Sequence, residues 1–197
     1  MVAPSSSGAA VDPFAARCAR LGPVLMHALA LTDVQAAGLL GNLGYETGGF
    51  RHLQEIAPLV PGSRGGWGLA QWTGPRRVAM EAWSRARGLD PASDAANEGY
   101  LIAELCGPES AALDALRRCA TLEQATETVC RLFERPAIPA LPRRLAYAGR
   151  ALRAIRPTPV PHPPGGPHDT RPARSRPALR RRPRRRGFAG GRRPSLG

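Results

Sequence analysis

Apolar positions recur at helical spacing through most of residues 13–156, and the recurrence stops after that. The clearest stretch follows Thr32, where Val34, Leu39, Leu40 and Leu43 fall on one helix face. Thr32 and Gln35 stand at capping-box separation, so this helix starts at a defined point and is predicted to end near Glu46. Before it, Phe14–Leu21 predicts a short helix closed by Gly22-Pro23. Residues 47–66 carry Pro58, Pro61 and five glycines and predict turn and loop. Trp67, Leu69, Gln71 and Trp72 then form a short extended piece, one arm of a small hairpin.

Pro75 suits the first position of a further helix running to about Arg87, with Gly88 as its stop and Val78, Ala79, Ala82 and Trp83 as its apolar face. Three more helices follow. The first covers 93–105, with Tyr100, Leu101, Ile102 and Leu105 inward, and the second 109–119, with Leu113 and Leu116 inward. The third covers 121–133, opened by a second capping box at Thr121 and Gln124, with Leu122, Ala125, Val129, Leu132 and Phe133 inward. A last helix spans about 139–156. The expected architecture is a mainly α domain over 13–156 with one small β element, preceded by a flexible segment, 1–12. No internal repeat stands out.

Charge changes the picture only at the end of the chain. Residues 157–197 hold eleven arginines against a single acid, Asp169, a net of +10. The preceding 156 residues hold 17 arginines against 14 acids, a net of +3, and the chain has no lysine. The Pro-, Gly- and Arg-rich segment buries too little apolar surface to offset its ordering entropy, so a disordered basic tail is expected. Three accounts of it stand open. It binds anionic envelope polymer or nucleic acid nonspecifically, it is inert, or it reflects a GC-rich gene translated in a shifted frame. Its one aromatic, Phe188, gives little for bases to stack on.

Cys18, Cys106, Cys119 and Cys130 lack C-x-x-C spacing and sit in apolar segments, which favours buried free thiols over a zinc site or a disulfide. His27 and His52 have no ligand partners at metal spacing, so no metal and no cofactor are expected. Polar residues interrupt 22–44, so no membrane span is predicted, and the start shows no secretion signal.

Candidate chemistry lies in 41–77. Glu46 falls at a helix C-terminus, where a carboxylate is disfavoured by the helix dipole, and Gly48-Gly49 follow as the stop. Some twenty residues later comes Gly66-Trp67-Gly68-Leu69-Ala70-Gln71-Trp72-Thr73-Gly74. Here Gly68 would let backbone approach a ligand, the indoles would give sugars flat faces, and Gln71 and Thr73 would offer neutral hydrogen-bonding groups.

Taken together, GNLGYETGGF at 41–50 and GGWGLAQWTGPRR at 65–77 resemble the lysozyme-like domain of phage tail lysozymes. More distantly they resemble lytic transglycosylases, which show Glu-Ser and then a Gly-Leu-Met-Gln type run. The strong resemblance covers 34–85, and a looser one, including Phe133-Glu134-Arg135-Pro136, extends to about 150. It implies a lysozyme-like helical fold with a small hairpin beside a groove, peptidoglycan as substrate, phage tail proteins as partners, and action at the cell wall. It also implies Glu46 as the catalytic acid, with Tyr45, Trp67 and Trp72 as its candidate neighbours.

An acid of this kind needs a carboxyl that keeps its proton until the glycosidic oxygen takes it. The second catalytic group stays open. Glu55 either activates water or steadies the charged sugar, or else pairs with Arg51, Arg64 or Arg76. Gln71 and Thr73 are the alternatives for placing a water, and attack by the substrate's own hydroxyl is a further route. Tyr100 is either core or groove wall, and Glu134 either lines the groove or pairs with an arginine. Arg76 and Arg77 face water or the anionic peptide stems of the wall. Three functions follow: a glycan hydrolase, a lytic transglycosylase, and a wall-binding tail module without catalysis.

Overall fold

A computed structural model describes residues 12–55 and 63–156; the expectations for 1–11, for Pro58 and Pro61 and for the basic tail lie outside the described residues. The architecture is mainly helical. Helix α1 spans Pro13–Ala28, α2 Asp33–Glu46, α3 Gly74–Arg85, α4 Asp94–Cys106, α5 Ser110–Arg117, α6 Leu122–Val129 and α7 Leu141–Ile155. A π-helical turn, Cys130–Glu134, continues α6 directly. No described helix is long and apolar enough to cross a membrane.

Both expected capping boxes are present. Thr32 accepts from the backbone of Gln35 while Gln35 reaches back to Thr32, and Thr121 and Gln124 repeat the arrangement. The first helix departs from expectation, because it runs straight through Gly22-Pro23. The bond that Pro23 cannot make would end on the carbonyl of Ala19, and both residues are exposed, so water can take its place. Leu21 and Leu25, on either side, are fully buried and hold the helix together across the proline.

Helix α2 is the centre of the fold. The expectation was one buried face, but every residue from Gln35 to Gly44 is buried. Its glycines make this possible. A Cβ at Gly41 would lie 2.5 Å from the backbone nitrogen of Ala148 on α7, and one at Gly38 2.7 Å from the Ala125 Cβ on α6. The neighbouring helices therefore touch α2 backbone to backbone. Its buried polar groups are paired: Gln35 donates to the carbonyls of Arg117 and Cys119, and Asn42 donates to those of Gly38 and Thr126.

Two apolar faces differ from the pattern. On α3 the inward residues are Arg77, Met80 and Ser84, while Val78 is 56% exposed. Arg77 sits inside because its guanidinium donates to the carbonyls of Arg64 and Gly65 and pairs with Glu81. On the last turn after α6, Leu132 is turned outward whereas Phe133 is buried. The wider π turn has changed the register that a 3.6-residue period assumed. Among the described residues the expected hairpin is reduced to two isolated antiparallel bridges, Gln54 with Trp67 and Trp67 with Trp72. The four cysteines are unpaired, and Cys106 is exposed rather than buried.

The close approach of α2 and α7 gives a paired test. Gly41→Ala pushes a methyl into the α7 backbone and is expected to destabilise by about 1–3 kcal/mol, despite better helix propensity. Gly149→Ala, whose Cβ would meet only the end of Arg153 at 3.7 Å, is expected to stabilise by about 0.5–1 kcal/mol. Urea unfolding of both variants checks the contrast.

Candidate active site

Glu46 is the last residue of α2, so the packing of that helix fixes where its side chain emerges. The side chain is 21% exposed, and its Oε1 accepts from Arg144 Nη2 at 2.5 Å. Arg144 comes from α7 and is fully buried. It also donates to Asn42 Oδ1 at 3.0 Å and to the carbonyl of Pro139 at 2.8 Å, and its guanidinium lies 4.5 Å over the Tyr45 ring. The cation is thus held on four sides, and Glu46 is oriented by a rigid partner. Glu46 Oε2 accepts no hydrogen bond among the described residues. Tyr45 shares a cavity of about 360 Å³ with Arg143, Ala146, Tyr147 and Arg150, an aromatic and cationic hollow next to the carboxyl in the chain.

The glycine- and tryptophan-bearing segment is tied to this region by a buried network. Trp72 is fully buried, and its indole N–H donates to Glu104 Oε2 at 2.7 Å. Arg76 forks onto the same carboxylate at 2.8 and 2.9 Å and donates to the carbonyl of Phe133 at 3.2 Å. Segment 67–77 therefore reaches the π turn through Glu104 and Arg76. Of the two arginines expected to face water or wall peptides, Arg76 is half-buried and Arg77 buried, and both bind protein groups instead.

Several expected ligand contacts become packing. Trp72 has no exposed face, and Tyr100 is 6% exposed with its ring edge-on to Trp72 at 5.1 Å, so neither offers a platform to a sugar. A Cβ at Gly68, where φ is +76°, would lie 2.5 Å from both Asn97 Oδ1 and the Trp72 ring. Glycine is required there by the protein's own interior. Trp67 is half-buried, with the Arg77 guanidinium 5.2 Å from its ring centre.

Glu55 makes no ion pair with Arg51, Arg64 or Arg76 among the described residues. Its Oε2 accepts from the backbone N–H of Gly66 at 2.7 Å. Gln71, in the left-handed region at φ 45°, donates its amide to the carbonyls of Leu53 and Gly68. Thr73 is exposed at the start of α3 and its side chain caps nothing.

Glu134 is the group that sequence reasoning undervalued. Of the two expectations, the ion pair is absent among the described residues, and the Glu134 Oε1 is sealed from solvent without a hydrogen-bond partner there. Burial pushes its carboxyl well above the ordinary carboxylate range, and the negative charge of Glu46 raises it further. Arg76 and Arg144 pull the other way without reversing this. The signal available in the sequence was the Phe-Glu-Arg-Pro run, but the π turn that aims Glu134 inward leaves no residue pattern.

The profile of the phage tail lysozyme family matches residues 24–155, about two thirds of the chain. No curated protein matches the sequence. The match begins inside α1 and ends at the last residue of α7, so it takes in Glu46, Arg144, the Trp72–Glu104–Arg76 network and Glu134. This chain belongs to the phage tail lysozyme family, a lysozyme-like class that breaks down peptidoglycan.

Proposed function

We propose that this protein cuts the glycan strand of peptidoglycan as a glycoside hydrolase of the muramidase type, with Glu46 as general acid. The observation that carries this is the placing of Glu46. It stands at the end of a helix buried throughout its middle, one oxygen fixed by a buried arginine and the other without a hydrogen bond from any described residue. A carboxyl oriented in this way can deliver a proton to a glycosidic oxygen as the C–O bond breaks and the sugar becomes oxocarbenium-like.

The hollow lined by Tyr45, Arg143, Tyr147 and Arg150 supports the substrate class. Its rings suit sugar faces, and its guanidiniums suit the carboxylates of the peptide stems. Among the other candidates, Thr73 keeps a hydroxyl that no described group engages, and we assign it to placing water or a sugar oxygen. Gln71 and Glu55 spend part of their capacity in holding the 53–72 segment, and Trp67 forms its aromatic edge. The site of action is the bacterial cell wall. We take the family's description to mean that the enzyme is carried by a phage tail, with tail proteins as its partners.

Glu46→Gln keeps the shape of the side chain and removes its proton. It is expected to lower release of soluble muropeptides from purified walls by at least about a hundredfold while unfolding at nearly the same temperature. Undiminished release from the folded variant would overturn the assignment. Mass spectrometry of the products is expected to show ordinary reducing ends; anhydro-muramic ends would instead mark the transglycosylase route. Arg144→Gln is expected to cost about 3–5 kcal/mol of stability, because it leaves Glu46 without its partner and breaks the ties to Asn42 and Pro139. Chemical denaturation measures it.

A further inference from the structure

The carboxyls around the site are not equivalent, and counting their partners separates them. Arg144 is committed to Glu46, Arg76 to Glu104, and Arg135 to Glu109, to which it donates at 2.7 and 2.9 Å. Each described arginine that lies near the π turn already has a carboxylate. Glu134, with Oε1 enclosed and unpaired, is the one left over.

Glu134 is half-buried as a residue, but a carboxylate there would hold one enclosed oxygen with no donor, which is costly; the neutral acid is less so. The backbone there is also unusual. The π turn Cys130–Glu134 ends at Arg135, a non-glycine residue at φ 50°, and a regular α-helical continuation would point residue 134 elsewhere.

We propose that Glu134 is the resting proton store of the site, the group from which Glu46 is protonated for its work as general acid. This rests on the assignment of Glu46 above. At rest the pair shares one proton, held by Glu134, while Glu46 Oε1 accepts from Arg144. When a glycan strand excludes water from the cleft, that proton passes from the Glu134 carboxyl to Glu46. Glu46 then gives it to the glycosidic oxygen as the C–O bond breaks. Glu134, now a carboxylate, takes a proton from the water that attacks the oxocarbenium carbon. The hydroxide oxygen stays on the sugar, the leaving sugar keeps the first proton, and Glu134 ends as it began. Glu134 is a second catalytic residue in this scheme, exchanging its proton with Glu46 and with the attacking water. The charged groups acting on it are Glu46 from α2, Arg76 from α3, Glu104 from α4 and Arg144 from α7. Burial and the two acidic neighbours favour its neutral form, and the two arginines oppose this.

The experiment uses the full chain, its Glu46→Gln and its Glu134→Gln variants. The Glu134 carboxyl is followed by carbon NMR, and muropeptide release is followed from acid to alkaline pH. In the wild type, Glu134 is expected to keep its proton at neutral pH, and Glu46→Gln is expected to lower its titration by removing a negative neighbour. Titration of Glu134 in the ordinary carboxylate range overturns the proposal whatever the activity. Glu134→Gln is expected to fold and bind walls like wild type, to slow release at least tenfold, and to change the alkaline limb of the pH profile.

A Glu134→Gln enzyme with the wild-type rate and profile, beside an inactive Glu46→Gln, would sink the role of Glu134 alone. Wild-type release that survives Glu46→Gln would sink the assignment of Glu46. Unfolding gives a readout free of catalysis. A proton kept only by the folded state adds stability that is present in acid and drains as pH rises from the ordinary carboxylate range through the raised value. Glu134→Gln is expected to abolish that decline, and an unchanged slope counts against the proposal.

Discussion

The position of the candidate acid depends on how closely α7 can approach α2. At Gly41 there is no room for a side chain, because the α7 backbone occupies the space that a Cβ would need. Arg144 lies four residues before the contact at Ala148, one turn back along α7. At that separation a fully buried guanidinium reaches the end of α2, bonding Asn42 one turn inside the helix and Glu46 at its last residue. A bulkier residue at 41 would move Arg144 away from Glu46 as well as loosen the core. The glycines of α2 therefore help to place the candidate site.

Electrostatics then follows from a shortage of free cations. The body carries many arginines, but those near the π turn are spent on Glu46, Glu104 and Glu109. At Glu134 each nearby guanidinium is already engaged elsewhere and Oε1 is enclosed without a partner, which favours the neutral form of the carboxyl. The unlike surroundings of Glu46 and Glu134 are thus an outcome of pairing, and they need no special property of either residue. Two carboxyls with unlike surroundings are a common basis for acid–base work at one site.

Much of the scaffold could be read from the sequence. Thr32 with Gln35 and Thr121 with Gln124 marked helix starts because a cap is a local device, complete within four residues. What could not be read depended on contacts between distant segments. Helix α1 passes Pro23 because buried leucines outweigh one missing bond. Arg77 turns inward on α3 because carbonyls of residues 64 and 65 meet it there. The π turn shifts Leu132 and Glu134 without any residue type that announces it. Glu46 stood out by its place at a helix end, but its arginine partner lies 98 positions away in the chain.

The aromatic segment shows the same difference from the other side. Read locally, Trp72 beside Gln71 and Thr73 looks like a surface for a sugar. In the fold its ring is interior, and its one polar atom holds Glu104. Glu104 in turn fixes Arg76, and Arg76 holds the carbonyl of Phe133, the residue before Glu134. Buried groups in such a chain restrain one another, since leaving any one of them unpaired would cost the desolvation of that group. Trp72 therefore bears on the chemistry through a relay of hydrogen bonds that keeps the π turn in place. A tryptophan whose role is to hold a carboxylate needs its indole N–H, and phenylalanine, although it could fill much of the same space, would leave Glu104 short of a donor.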